Sequence, residues 1–346
     1  MKVLMIGPDI DRVPGGMATV IKNCIYSELA NKVELKYISS NIEGRLLNKL
    51  LWNIGGVLKY LFNINRYDIV HIHMAERGSF YRKSIYVIIA KILKKKSIIH
   101  FHGAEFDEFY SLESNKIQKK YISYILDKSS LIIALGELWQ EKIKKYTNTK
   151  IVILSNAVEV PINNFYNLNN RSIILLGRLE QRKGTFDLLD IADNILCDNL
   201  SFNLVLAGDG NLDLVKAKIK TLKFKNNIKL LGWINKEQRE ELFKNTAIFV
   251  LPSYNEGMPM AILEAMSYGI PVVVSDVGDI PYLVKDYENG YLIKAGDKKL
   301  LENRILKLIE NDDLRIKISR NNYKKVKDKF NLQINLKKLE EIYRML

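Results

Sequence analysis

Two doubly wound α/β halves joined by a short linker are the fold this sequence predicts, and three observations predict it. Apolar runs of strand length alternate with helical patterns along nearly the whole chain, which argues for parallel sheets with helices on both faces. The alternation breaks at residues 160–170, a stretch with one proline and five asparagines, and restarts at Ser172. The length of 346 residues suits two domains of ordinary size.

In the first half, strands are expected near residues 2–7, 33–39, 68–73, 97–102, 131–135 and 150–154. In the second half they are expected near 172–176, 202–207, 228–231, 247–251, 271–275 and 291–293. Residues 297–330 read as helices, and 332–346 as a final one. The domains are therefore expected at 1–160 and 171–330. Two such sheets facing across a cleft would offer an interdomain ligand site.

Composition bounds the rest. A hydrophobic content of 47% is ample for packed cores. Cys24 and Cys197 are far apart and fall in helical patterns, so both are expected as small buried hydrophobes in a reducing, cytoplasmic setting. The chain opens directly on the strand Lys2–Gly7, so no signal peptide is expected, and no apolar stretch is long enough to span a bilayer. The net charge of +14 is concentrated in the first half, with 24 Lys/Arg against 15 Asp/Glu in residues 1–165. A nucleic-acid partner would explain it, but no recognition module or aromatic-basic motif is present. The alternative is an anionic membrane surface. Residues 45–62 are apolar with interspersed Lys and Arg, and read either as a core helix broken at Gly55-Gly56 or as an interfacial segment using Leu47, Leu51, Trp52 and Leu58.

The most informative stretch is residues 256–264. The apolar run 247–251 reads as a buried strand, broken by Pro252, Ser253 and Asn255. Pro259 suits the first turn of a helix running from about Met258 to Tyr268 and stopping at Gly269. Glu256 then lies in the loop at the helix N-terminus, and Glu264 roughly 9 Å further along at 1.5 Å per residue. Carboxylates at two depths of a strand-end crevice can hold two sets of hydroxyls.

Arg178 leaves the first strand of the second half and Lys183 opens the next helix. Two cations beside a crevice can stabilise a departing diphosphate. Gly15 and Gly16 follow the first strand and open a helix, allowing close backbone approach to a phosphate. His102 lies at the mouth of the fourth strand. His71 and His73 repeat the His100-His102 pattern on the third strand; without an Asp or Cys cluster the four are not read as a metal site, and His71 and His100 are read as satisfied core residues. Asp9 and Asp11 match the DxD of metal-dependent transferases but follow the first strand of a Rossmann-like unit, so they are read as loop acids.

Taken in order, Pro252-Ser253, Glu256-Gly257, Glu264-Ala265 and Gly269-Ile270-Pro271 resemble the retaining nucleotide-sugar glycosyltransferases of family 4, marked by two glutamates with seven residues between them. The resemblance is dense over 172–285 and looser over 1–165. It implies the GT-B fold, with the final helix packing back on the first domain, and a metal-independent reaction without cofactor. It gives Glu256 to the donor sugar, Glu264 to the ribose, Gly15-Gly16 to the donor diphosphate and His102 to the sugar or its phosphate. The base would be read partly through backbone at Trp233. Gly208, Ser253, Gly257 and Met258 complete the implied substrate-binding set, and Arg178, Lys183, Glu256 and His102 the catalytic one. The implied partners are a nucleotide-sugar donor, UDP before GDP, and a glycan or lipid-linked acceptor, with no nucleic acid. The alternatives are an epimerase or hydrolase of the same fold, and a membrane scaffold without turnover.

Overall fold

The computed structural model describes residues 1–13, 15–42, 44–197 and 201–346. It resolves into two compact units, residues 1–157 with 332–346, and residues 158–331.

The first unit is built on six parallel strands: β1 (Val3–Gly7), β2 (Leu35–Ser39), β3 (Ile69–Met74), β4 (Lys96–Phe101), β5 (Leu131–Ala134) and β6 (Ile151–Ile153), in the order β2-β1-β3-β4-β5-β6. The second has β7 (Ser172–Leu176), β8 (Asn203–Ala207), β9 (Ile228–Gly232), β10 (Thr246–Leu251), β11 (Val272–Ser275) and β12 (Tyr291–Ile293), ordered β12-β11-β10-β7-β8-β9 and parallel throughout. Each strand lies within about two residues of its sequence expectation. The legibility has a physical cause: strands covered on both faces, such as β1, β3 and β10, are buried at every position and so read as unbroken apolar runs.

The helices that matter below are α1 (Gly16–Ile25), α2 (Leu46–Ile64), α3 (Gly78–Ile92), α4 (Thr185–Asp190), α5 (Lys236–Lys244), α6 (Met260–Ser267) and α7 (Leu332–Arg344). In α7, Leu336, Leu339, Ile342 and Tyr343 are buried in one cluster with Val3 and Met5 of β1 and Ile21 of α1. Each such side chain contributes about 1.5–3 kcal/mol, which places α7 in the first unit's core.

Three expectations need correction. Helix α2 is continuous through Gly55-Gly56. A Cβ at Gly56 would lie 2.9 Å from the Ser39 carbonyl and 3.0 Å from the Tyr86 hydroxyl, so the glycine allows close packing and does not break the helix. Helix α6 begins at Met260, with Pro259 as the extended N-cap at φ −71°, ψ 125° and not as a first helical residue. Cys24 is buried as expected, but Cys197 is exposed.

Candidate active site

The site in the second unit is assembled at the carboxyl ends of its strands. β10 delivers Leu251 into Pro252 and Ser253. The chain then folds so that Glu256 is only 6% exposed, and burying a carboxylate requires strong partners. It has them: Lys183 Nζ donates to Glu256 Oε1 at 2.5 Å, and Ser253 Oγ donates to the same oxygen at 2.8 Å. Lys183 gets there through a short 3₁₀ turn, Gln181–Lys183, closed by Gly184 in the left-handed conformation at φ 70°. A Cβ on Gly184 would sit 2.1 Å from the Pro252 carbonyl oxygen, so only glycine lets this turn lie against the Pro252–Glu256 loop. Lys183 therefore precedes α4 and does not open it, as the sequence suggested. The loop is fixed further by Arg182, whose Nη1 donates to the Asn255 carbonyl at 3.0 Å while Tyr254 N–H donates to the Arg182 carbonyl at 2.8 Å. Arg182 is thus a brace for the site.

Beyond Glu256, the Gly257 carbonyl accepts from Asp279 N–H at 3.0 Å, and Met258 is buried. Glu264 lies in α6 with its side chain 14% exposed, and its Oε1 is 3.5 Å from Arg239 Nη1 of α5. Burial raises its pKa above the usual carboxylate value, against an opposing pull from Arg239. Arg239 escaped the sequence reading because it is one of several charged residues on a polar helix. Arg178 stands apart: its side chain is 57% exposed and its Nε is 3.2 Å from Glu180 Oε2. The ends of the neighbouring strands are stitched together, Gly177 N–H to the Ala207 carbonyl at 3.0 Å and Gly208 N–H to the Gly232 carbonyl at 2.7 Å. Trp233 follows directly and is exposed.

In the first unit, Gly15 is the N-cap of α1, with no side chain capping the helix. Asp9 accepts from the N–H groups of Asp11 and Arg12 at 3.1 and 3.0 Å, and Asp11 pairs with Lys22 at 3.1 Å, so both acids serve the loop. His102 follows β4, half-buried, with its ring Nε2 2.8 Å from Nδ1 of His73. His71 bonds at Nδ1 to the Tyr343 hydroxyl at 2.6 Å and at Nε2 to His100 Nδ1 at 3.2 Å. The four rings form one group, with His71 and His73 stacked at 4.4 Å between centroids and His100 and His102 tilted at 4.3 Å. Ring nitrogens of His71, His73 and His100 lie within 4.8 Å of one another. Burial drives all four imidazoles to the neutral form, His100 down to about 3. His71 is satisfied, as expected of a core residue, but Nε2 of His73 and of His100 is buried without a partner among the described residues.

Comparison with known proteins agrees with this architecture. Residues 162–325 match the family described as glycosyl transferases group 1. The chain is 30% identical over 305 residues to the UDP-Gal:alpha-D-GlcNAc-diphosphoundecaprenol alpha-1,3-galactosyltransferase of Escherichia coli, covering 82% of this chain and 76% of the relative. It is 26% identical over 293 residues to the amylovoran biosynthesis glycosyltransferase AmsK of Erwinia amylovora, covering 81% and 70%. Among solved structures, HepE of Anabaena in complex with UDP aligns over the whole of both chains with a TM-score of 0.78 at 18% identity. Sucrose-phosphate synthase of Thermosynechococcus elongatus aligns over 99% and 98% with 0.80 at 14%. These structures share the GT-B fold. The chain belongs to the group 1 glycosyl transferases and is a glycosyltransferase.

Proposed function

We propose that this glycosyltransferase moves a hexose from a nucleotide diphosphate sugar, UDP before GDP, to a glycan or lipid-linked glycan acceptor in cell-surface polysaccharide synthesis, with retention of anomeric configuration. The observation that carries the reading is the Lys183–Glu256–Ser253 cluster at the strand ends of the second unit. Glu256 is already bound through one oxygen to a cation and a hydroxyl, which suits it to orient sugar hydroxyls and not to attack the anomeric carbon. Lys183 and Arg178 are assigned to the leaving diphosphate, whose charge grows as the bond from the anomeric carbon to oxygen breaks. The acceptor oxygen then attacks from the same face and gives its proton to the departing phosphate oxygen. Glu264 is assigned to the ribose and Trp233 to the region of the base. In the first unit, Gly15, Gly16 and His102 are assigned to substrate phosphate and sugar. The UDP-Gal donor and diphosphoundecaprenol acceptor in the E. coli relative's name support the choice of UDP and of a lipid-linked acceptor.

The first unit also carries a candidate acceptor surface. Leu47, Leu50, Leu51, Ile54, Leu58 and Leu61 are exposed on α2 at helical spacing and make one apolar stripe. A groove of about 790 Å³ runs beside it, lined by Arg12, Lys36 and Lys59 with Trp52 and, among the described residues, without an acidic one. Trp52 is tied into this groove by its Nε1–H to Ser39 Oγ at 2.9 Å and by Arg12 over its ring, so the stripe, not Trp52, is the membrane-facing element. No described helix is long and apolar enough to cross a membrane, and peripheral contact of the stripe with an anionic bilayer is the reading adopted.

The test is transfer itself. UDP-hexoses are screened against lipid-linked acceptors, and the anomeric configuration of the product is read by NMR. An α-linked product from an α-configured donor is expected. An inverted product overturns retention, and equal turnover with and without acceptor makes the protein a hydrolase.

A further inference from the structure

Lys83 is a buried lysine of the first unit. It lies on α3, is 3% exposed, and has no carboxylate paired with it among the described residues. Its Nζ donates to Ser79 Oγ at 3.2 Å and lies 3.8 Å from the Met17 thioether sulfur. Ser79 Oγ also accepts from Ala75 N–H at 3.2 Å, so the hydroxyl holds the ammonium in place without neutralising it. Desolvating a single ammonium costs several kcal/mol and is tolerated when a counter-charge arrives or the site does something with the charge.

What surrounds Lys83 is built for an anion. Met17 is the second residue of α1, so the ammonium touches a side chain from the first turn of a ten-residue helix whose N-cap makes no side-chain hydrogen bond. The first-turn N–H groups of such a helix have no partner within it, and its dipole favours negative charge. From β3 and the turn after β4, the paired rings of His73 and His102 lie close enough to feel the Lys83 charge, and His73 Nε2 is fully buried without a partner among the described residues. Arg82 adds a second positive charge from α3 itself. A lysine ammonium, a helix N-terminus and an unsatisfied imidazole nitrogen thus belong to one part of the unit, and the buried carboxylate of Glu76, which lies against Gly103, is not among the charges acting on Lys83.

We propose that Lys83 is an anion-binding residue, whose ammonium, together with the uncapped start of α1, takes a phosphate oxygen of one of the enzyme's two substrates. The naming of the anion as phosphate rests on the function proposed above. The source is either the diphosphate of the donor nucleotide or the diphosphate of a lipid-linked acceptor, because both present the same oxygens. The half-buried Met17 side chain, which now touches Nζ, is the contact the phosphate replaces. Burial lowers the Lys83 pKa to about 7, with a further push from Arg82, while His73 and His102 are neutral. Phosphate binding near pH 8 should therefore draw a proton onto Lys83.

Two variants test this, Lys83→Met and Lys83→Arg, with UDP as the donor probe and a polyprenyl diphosphate-linked sugar as the acceptor probe. In the absence of ligand, Lys83→Met should melt at the same temperature as wild type or higher, since a buried, unpaired charge is exchanged for an apolar chain of similar length. It should nevertheless bind one probe about ten- to a hundredfold more weakly. Weaker UDP in calorimetry, with the acceptor KM unchanged, assigns the donor. An unchanged UDP Kd with a raised acceptor KM assigns the acceptor. Wild type, but not Lys83→Met, should take up a proton on binding at pH 8, read from calorimetry in buffers of different ionisation enthalpy. Lys83→Arg, which keeps the charge, should recover part of the affinity. If Lys83→Met binds both probes as wild type does, or loses stability without ligand, Lys83 is a structural lysine and the proposal falls. If wild type itself neither binds UDP nor uses UDP-sugars, the proposed function fails first, and the melting and inorganic pyrophosphate binding of the two variants still decide the anion site.

Discussion

The two units handle buried charge in opposite ways. In the second, Glu256 and Lys183 are both largely buried and held together at 2.5 Å, with Ser253 on the same oxygen, and Glu264 has Arg239. In the first, Lys83 and the imidazoles of His71, His73 and His100 are buried, with no carboxylate paired with the ammonium among the described residues. A compensated pair can persist in the free protein and be tuned by a ligand. An uncompensated cation is a standing cost that a ligand removes. The second unit is thus preorganised for catalysis, and the first is poised for an anion.

The largest effects should break the compensated pair. Lys183→Ala is expected to lower turnover about 10²–10³-fold, as for other donors to developing negative charge. It should also cost roughly 3 kcal/mol of stability, because it leaves the buried Glu256 carboxylate without its cation. Arg178→Ala should lower turnover similarly, yet leave the melting temperature almost unmoved, since its exposed pairing with Glu180 contributes little. From position alone, both cations would be expected to leave stability untouched; the burial of Lys183 separates them. Steady-state kinetics and thermal melts on the two variants settle this. Equal melting temperatures would show that the Lys183–Glu256 pair is not a buried one.

Nucleotide affinity gives the next effect. Glu264→Ala should weaken binding of free UDP by about 1.5–3 kcal/mol, the range for hydrogen bonds to a charged acceptor. Its pH dependence sharpens the test. The ribose hydroxyls need the ionised carboxylate, and burial has raised the pKa of Glu264. UDP affinity should therefore fall on acidification at a higher pH than an ordinary glutamate would give, and this fall should vanish in Glu264→Gln. Calorimetry from pH 7 downward reads both. Wild-type affinity in a folded Glu264→Ala removes the residue from the site.

How much was legible in the sequence follows the same division. The central strands could be read because burial on both faces writes an apolar run, and Glu256, Glu264 and Lys183 were singled out because they fall within the motifs of the resembled family. The bracing by Arg182, the pairing of Arg239 with Glu264 and the isolation of Lys83 could not. Each depends on which elements become neighbours in space, and in a chain with 53 Lys and Arg no local signal separates a buried cation from a solvated one. Helix α2 was misjudged for a related reason. Gly55-Gly56 looks like a break in the chain itself, and only the approach of Ser39 and Tyr86 shows what the second glycine is for. Cys197 sits in a helical pattern that says nothing of which face meets solvent.

The smallest effect expected is on membrane contact, and it compares two parts of the first unit. The stripe of α2 offers exposed leucines, and the groove beside it offers Arg12, Lys36 and Lys59. Anionic headgroups attract such cations at roughly 1 kcal/mol each near the surface, while burial of the leucines adds a term that salt does not screen. Wild type should float with anionic vesicles at low salt, less with neutral ones, and be released only in part by high salt. The double variant Leu51→Glu with Leu58→Glu should lose the salt-resistant fraction and keep its fold, because both side chains are exposed. Lys36→Gln with Lys59→Gln should lose the preference for anionic lipid instead. Recovery of wild type in the soluble fraction with both lipids at low salt would leave α2 as a surface helix and the basic charge without a membrane role.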